Sequence, residues 1–230
     1  METPSVRVLV VGDSGVGKTT LLRSICRLYS RDSIDYDKPS SLWTTGCDVH
    51  VLLKIFEPEG QEIFVEFLDI GGHRKYELSR GTFYHNIHGI MFVHDLSNTK
   101  SGQHLRNWSK EIHTMQKLKG CVVPPTGNSD DIPTLQKIPK LVVGNKKDLR
   151  SQSSMGLIGP TEFHTVATIE SSANPLSMVP SGVFEAFLYQ TVAFANRDTN
   201  SKSSSGGQRL VHINDDNTTT GVSNIRSRWW

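Results

Sequence analysis

An α/β fold, with a mostly parallel six-stranded sheet carrying one antiparallel strand and helices on both faces, is predicted by three observations. Short apolar runs alternate with stretches whose apolar residues recur at helical spacing, from residue 6 to about Ala195. Several of those runs are continuously apolar, as in strands covered on both faces. The first run passes through a glycine-rich turn straight into a helical stretch, the strand–loop–helix unit of many phosphate-binding proteins.

The elements follow in order. Residues 6–11 form a first strand, and Lys18–Tyr29 a helix with Leu21, Leu22, Ile25, Leu28 and Tyr29 on one face. Cys47–Phe56 and residues 61–69 are extended, and the tight-turn composition of Pro58, Glu59 and Gly60 between them predicts an antiparallel hairpin. Gly89–Asp95 and Lys140–Asn145 are short buried strands. Between them Leu105, Trp108, Ile112 and Met115 recur at helical spacing, as do Phe184, Phe187, Leu188 and Val192 further on. Trp108 falls in register on its stripe, which assigns it to the core.

Residues 30–42, 119–137 and 150–159 are polar or rich in Pro, Gly and Ser, and read as surface loops. A globular domain is expected over residues 5–195. From Asn196 the composition collapses to Ser, Thr, Asn and Gly, so residues 196–230 are expected to be a disordered tail that buries too little apolar area to offset its chain entropy. Trp229 and Trp230 end it, and two readings stand: an aromatic anchor for a partner groove, or a frayed end that docks on its own domain.

The 230 residues, 36% of them hydrophobic, suffice for one core, and a net charge of +2 with 21% charged residues gives no footprint for nucleic acid. Cys26, Cys47 and Cys121 show neither a pairing framework nor metal-type spacing and read as thiols of a reducing compartment. No signal-peptide or spanning pattern is visible. Glu2 stands where myristoylation needs glycine, and the last residues carry no cysteine. The expectation is a cytoplasmic protein without a direct lipid anchor, peripheral to membranes only through partners.

The chemistry lies in Gly12, Asp13, Ser14, Gly15, Val16, Gly17, Lys18 and Thr19, followed by Thr20. Glycines at this spacing let successive N–H groups turn inward to cradle a β-phosphate, and the helix opening at Lys18 adds its positive dipole end. Lys18 neutralises phosphate charge and the Thr19 hydroxyl is suited to coordinate magnesium. The base is read at the end of a later strand, by Asn145, Lys146, Lys147 and Asp148. A carboxylate at Asp148 accepts both the ring N1–H and the exocyclic amine of guanine, whereas adenine offers an acceptor at N1 and leaves it unmatched. Asn145 would bridge the base and phosphate loops, and the Lys146 stem can cover the base plane. Asp148 thereby disfavours an adenine-nucleotide enzyme.

With these motifs the chain resembles a Ras-superfamily small GTPase, in the Rab and Rab-like branch. The resemblance extends from Val6 to about Ala195 and implies a small G domain of the P-loop NTPase class, with GTP or GDP and Mg²⁺ as ligands. Thr44, in Trp43-Thr-Thr-Gly46, resembles the switch-one threonine that completes the magnesium shell. Asp69-Ile-Gly-Gly-His73 resembles the switch-two motif, which implies a magnesium role for Asp69 and a γ-phosphate contact from the Gly72 N–H. Ser171, Ser172, Ala173 and Asn174 resemble the serine-alanine loop beside the guanine oxygen. Tyr29 and Tyr36 both stand as the aromatic flanking the base. Effectors, exchange factors and GTPase-activating proteins are the partners implied.

His73 departs from the pattern, since it occupies the place of a water-orienting glutamine. Two readings stand: a catalytic imidazole acting with Lys18 and Thr44 in slow hydrolysis, or a surface histidine beside Arg74 and Lys75 on a nearly inert switch. No intrinsic arginine finger is assigned. Leu68, Ile70 and Gly71 also depart from typical Rabs. Together with Trp43-Thr-Thr-Gly-Cys47, Gly71-Gly72 and Val93-His-Asp-Leu-Ser97, they bring the resemblance nearest to the Rab-like protein three group. In that group prenylation cysteines are missing and dimerisation is reported, so a homodimer remains open, and a GTP-binding scaffold with little hydrolysis stands beside the switch.

Overall fold

The computed structural model describes residues 4–29, 43–57, 60–122, 137–150 and 166–202. In chain order the elements are β1 (Ser5–Val11), α1 (Lys18–Tyr29), β2 (Cys47–Phe56), β3 (Gln61–Ile70), α2 (Glu77–Arg80), β4 (Gly89–Asp95), α3 (Thr99–Val122), β5 (Lys140–Asn145), β6 (Ala167–Ala173), β7 (Leu176–Val179) and α4 (Val183–Lys202). One-turn 3₁₀ helices flank α2 and follow β5.

The sheet order is β2-β3-β1-β4-β5-β6-β7. β1 pairs in parallel with β3 on one side and β4 on the other, so the chain leaves the sheet centre in both directions. The crevice at such a switch point, outside the carboxyl ends of the strands, is where parallel sheets place ligands.

Period-two alternation divides the central strands between two cores. Val8 and Val10, Met91 and Val93, and Leu141 and Val143 meet α1 and α4 through Leu22, Ile25, Phe187 and Leu188. Leu9 and Val11, Ile90 and Phe92, and Val142 meet α3 through Leu105, Trp108 and Ile112. Each fully buried aliphatic side chain contributes roughly 1.5–3 kcal/mol against exposure, and every residue of β4 is buried. That double covering is why these strands read as continuous apolar runs.

The structure corrects three readings. The sheet has seven strands, two of them antiparallel: β2 against β3, and β7 against β6. β7 has four residues and alternates between half-buried and exposed, so it leaves no apolar run in the sequence. Leu28 is 67% exposed although the stripe it continues, Leu21, Leu22 and Ile25, is buried, because a stripe fixes the angle around a helix and not how far its neighbours extend. Ser171, Ser172 and Ala173 belong to β6 rather than to a loop.

α3 runs on to Val122, into the stretch read as a loop from residue 119, and α4 passes Asn196 to reach Lys202. Residues 30–42, most of the 119–137 segment, residues 151–165 and residues 203–230, with Tyr36, Trp229 and Trp230, lie outside the described residues. Among the described residues no helix is long and apolar enough to cross a membrane.

Candidate nucleotide-binding site

The loop between β1 and α1 is built so that only glycine fits at its turning points. Gly17 has φ of +90°, and a β-carbon there would lie 2.6 Å from Asn145 Nδ2. The α1 ladder starts at once, with the Leu21 N–H donating to the Gly17 carbonyl (2.9 Å). The residues between them, Lys18, Thr19 and Thr20, thus open the helix, where backbone N–H groups have no intrahelical partners. Lys18 folds back over the loop and its Nζ donates to the carbonyls of Gly12 (2.8 Å) and Asp13 (3.0 Å). Burial pushes the Lys18 ammonium down to about 8, against Asp69 and Asp13, which favour its charge.

Oxygen donors converge beside it. Thr19 Oγ1 donates to Asp69 Oδ2 (2.5 Å), the Thr19 and Thr44 hydroxyl oxygens are 3.0 Å apart, and Thr44 Oγ1 reaches Asp69 Oδ2 at 3.4 Å. Asp69 is wholly buried at the end of β3, and its Oδ1 has no hydrogen-bond partner among the described residues. Two hydroxyls and a carboxylate with an unused oxygen suit a hard, oxygen-seeking cation such as Mg²⁺. His50 on β2 is buried behind them, its Nε2 3.8 Å from Asp69 Oδ2 and 3.7 Å from Asp48 Oδ2, beyond hydrogen-bond reach.

Asn145, at the end of β5, ties the base side to this loop. Its Nδ2 donates to the carbonyls of Val16 (3.0 Å) and Gly17 (3.4 Å), and its Oδ1 accepts from Ser171 Oγ (3.1 Å). Lys146 stands in the left-handed region (φ +60°) and its Nζ pairs with Asp95 Oδ2 at 2.8 Å. Burial would push the Asp95 carboxyl up, yet Lys146 and Ser97 hold it below its ordinary value. Asp148 is exposed in the 3₁₀ turn Lys147–Leu149. Ser172 Oγ is buried at the end of β6 without a partner among the described residues, followed by half-buried Ala173 and exposed Asn174.

The segment after β3 packs on the loop through glycine. A β-carbon on Gly72 would lie 2.4 Å from Asp13 C and Ser14 N and 2.5 Å from Gly12 O. His73 lines the groove beside Asp13 and Gly72 and caps the short helix Arg74–Tyr76, its exposed ring accepting the Lys75 N–H at Nδ1 (3.2 Å). A neutral ring in that arrangement carries its proton on Nε2, so it offers water a donor and no acceptor. A groove of about 920 Å³ runs from here along α3, with Asp13, Gly72, Arg80, His104 and Trp108 among its walls.

Tyr29 stands at the far end of α1 from Lys18. The separation is roughly 16 Å along the helix axis, and the Tyr29 hydroxyl donates to Glu185, with Lys54 Nζ over its ring. Sequence reasoning also missed a polar cluster behind the loop. Trp108 is core, but its Nε1 donates to Asp13 Oδ1, and Arg80, 3% exposed, pairs with Glu111. The signal was there: His104, Trp108 and Glu111 follow one another at i, i+4 and i+7 on one helix face, and a buried indole N–H needs an acceptor.

A sequence model of the Ras family matches residues 7–185. Rab-like protein 3 of Homo sapiens is 37% identical over 151 residues, 62% of this chain and 61% of that protein, and its Danio rerio counterpart is 34% identical over the same number of residues, 62% of each chain. The small GTPase LIP1 of Arabidopsis thaliana is 35% identical over 158 residues, 64% of this chain and 42% of that protein. The chain therefore spans about three fifths or less of the length of these curated relatives.

Proposed function

The chain belongs to the Ras family, and we propose that it binds GTP and GDP with Mg²⁺, hydrolyses GTP slowly and acts as a nucleotide-dependent switch in signalling or vesicle trafficking. Ras-family small GTPases are GTPases that interact with exchange factors, activating proteins and effectors. One observation carries the reading: Lys18, Thr19, Thr44 and Asp69 form a single polar group around a glycine loop that Asn145 ties to the end of β5.

Each residue has a task that its position allows. Loop N–H groups and Lys18 hold the phosphates, and Asp148 accepts the guanine N1–H and amine. Thr19, Thr44 and Asp69 would hold the metal, which when bound neutralises charge on the phosphate oxygens. Hydrolysis is in-line attack of water on the γ-phosphorus, with the bond to the bridging oxygen breaking and GDP leaving. The Gly72 N–H would donate to the γ-phosphate, and Lys18 would stabilise the spreading charge. His73 can orient the water only as a donor from Nε2, which supports a slow reaction. Loss of the γ-phosphate would free Thr44 and Gly72 and change the surface offered to partners, including the exposed Val49, Val51 and Leu53 on edge strand β2.

The cap role of His73 also favours a second reading, a GTP-holding scaffold with little turnover. Identification of the nucleotide that co-purifies with the full chain tests the first claim: GDP or GTP is expected, and a protein that is empty and indifferent to guanosine nucleotides in magnesium buffer overturns it. ATP competition against a fluorescent GTP analogue tests the base assignment. Single-turnover cleavage separates switch from scaffold, and equal partner affinity in the two nucleotide states would end the switch reading.

A further inference from the structure

Asp13 is the only acidic residue within the phosphate loop Gly12 to Thr19, and a carboxylate turned into that loop would repel a triphosphate. The structure turns that carboxylate outward and occupies both oxygens. Oδ1 accepts from Trp108 Nε1 at 2.9 Å, and Oδ2 lies 2.6 Å from His104 Nδ1. An ionised carboxylate only accepts, so His104 donates, as the indole must. Both donors come from one face of α3.

The contacts continue from the indole ring. The Arg80 guanidinium lies 4.2 Å from its centroid and forks onto Glu111, Nε to Oε1 at 2.9 Å and Nη2 to Oε2 at 2.6 Å. Tyr84 Oη donates to the same carboxylate at 2.7 Å, and burial holds the Tyr84 phenol well above its ordinary pKa, so it remains a donor. The remaining arm of Arg80, Nη1, reaches the Gly71 carbonyl at 3.3 Å. Gly71 precedes Gly72, which lies on the backbone of Asp13 and Ser14. The contacts therefore close on themselves, from Asp13 through Trp108, Arg80 and Gly71 back to Asp13.

We propose that Trp108 and His104 are positioning residues for the nucleotide reaction: they hold the Asp13 carboxylate away from the phosphates and, through Arg80 on the indole face, hold Gly71 and Gly72 against the phosphate loop. This rests on the guanine-nucleotide reading of the site. None of these side chains touches a reacting atom. α3 thereby sets the geometry of the loop and of the switch segment together.

Trp108→Phe keeps a ring for Arg80 and deletes the N–H. The expected result is GDP release about tenfold faster, as for the loss of one hydrogen bond to a charged group. Asp13→Ala removes the acceptor, so adding Trp108→Phe to it is expected to change release by less than about twofold. Equal effects of Trp108→Phe with and without Asp13 would assign the indole to packing alone and overturn the proposal. The indole N–H proton of Trp108 in the ¹⁵N-labelled full chain, identified by its loss in Trp108→Phe, is expected to shift in Asp13→Ala; an unchanged signal also overturns it. That signal needs no nucleotide. If wild-type protein binds no guanine nucleotide, the reading of the site fails while the indole shift still decides the clamp; binding with an unmoved indole fails the clamp alone.

Discussion

The phosphate loop and the segment that follows β3 lie against each other, yet they are held in opposite ways. The loop is fixed from several sides: Lys18 folds back onto the carbonyls of Gly12 and Asp13, and two groups distant in sequence hold it from outside, Asn145 on Val16 and Gly17 and buried Asp69 on Thr19. Residues 73–75 and 77–79 are exposed, and the His73 ring is held within its own short turn, by the Lys75 N–H and against the Tyr76 ring. Backbone glycines and buried hydrogen bonds leave the loop one geometry, while an exposed turn with few tertiary contacts can open at little cost. A protein built this way retains its ligand through the fold and regulates its chemistry through a part the fold leaves adjustable. Variants on either side of the contact separate the two roles.

The largest effect is expected at Lys18. Lys18→Ala takes a buried cation from between two carbonyls and the phosphates, and loss of one partner in such a buried charge pair costs about 2–5 kcal/mol, or roughly thirtyfold to several thousandfold in affinity. Titration with fluorescent GDP measures it. A loss below about threefold would mean that the loop is not the place where affinity resides, and the contrast would break at its stronger side.

Gly72→Ala comes next, at the contact itself. The new methyl would stand 2.4 Å from Asp13 C and Ser14 N, backbone atoms that cannot swing aside, so the switch segment must move. A displacement of about 1 Å at a reacting centre costs on the order of a hundredfold in rate. Single-turnover cleavage should slow by about that factor, with GDP affinity within about threefold of wild type. Equal losses of binding and rate would show that the two regions are one unit.

The same contrast explains what the sequence discloses. Gly17 is legible because its positive φ and the approach of Asn145 leave no room for a β-carbon, and the continuous run of Gly89–Asp95 is legible because both its faces are covered. β7 was hidden, since four residues of alternating exposure between Pro175 and Pro180 resemble a turn. The exposed Leu28 shows that periodicity reports a face and not its neighbours. Arg80 carries no local mark: its partners Glu111, Trp108 and Gly71 are brought to it by tertiary packing alone. Single elements announced themselves where backbone geometry or burial restricted residue choice, and the polar network did not.

Cys26 probes the closed side. It is 1% exposed on α1, and burial pushes its thiol up from 9.0 to about 11. A folded-state pKa above the unfolded value favours the protonated form, so this stabilisation is complete below pH 9 and is lost as pH rises toward 11. Against Cys26→Ala, wild type should lose about 2 kcal/mol of relative stability between about pH 8 and pH 10.5, measured by urea unfolding under reducing conditions. A constant difference across that range would mean that the α1 face admits water.

The smallest effect is expected at His73, and it bears most directly on the open side. A positioned acid or base contributes about 10²–10⁴ to rate, but the His73 ring accepts the Lys75 N–H at Nδ1 and offers water a donor alone. His73→Ala should therefore slow single-turnover GTP cleavage by less than about tenfold, leaving GDP release unchanged because no loop group bonds the ring. His73→Gln supplies both a donor and an acceptor from a longer, uncommitted side chain, and should cleave at least as fast as wild type. A loss beyond about a hundredfold in His73→Ala, not restored by His73→Gln, would show that the ring leaves its cap when GTP is bound. The exposed segment would then be a poised catalytic element, and slow turnover would have its origin in the cost of breaking the Lys75 contact.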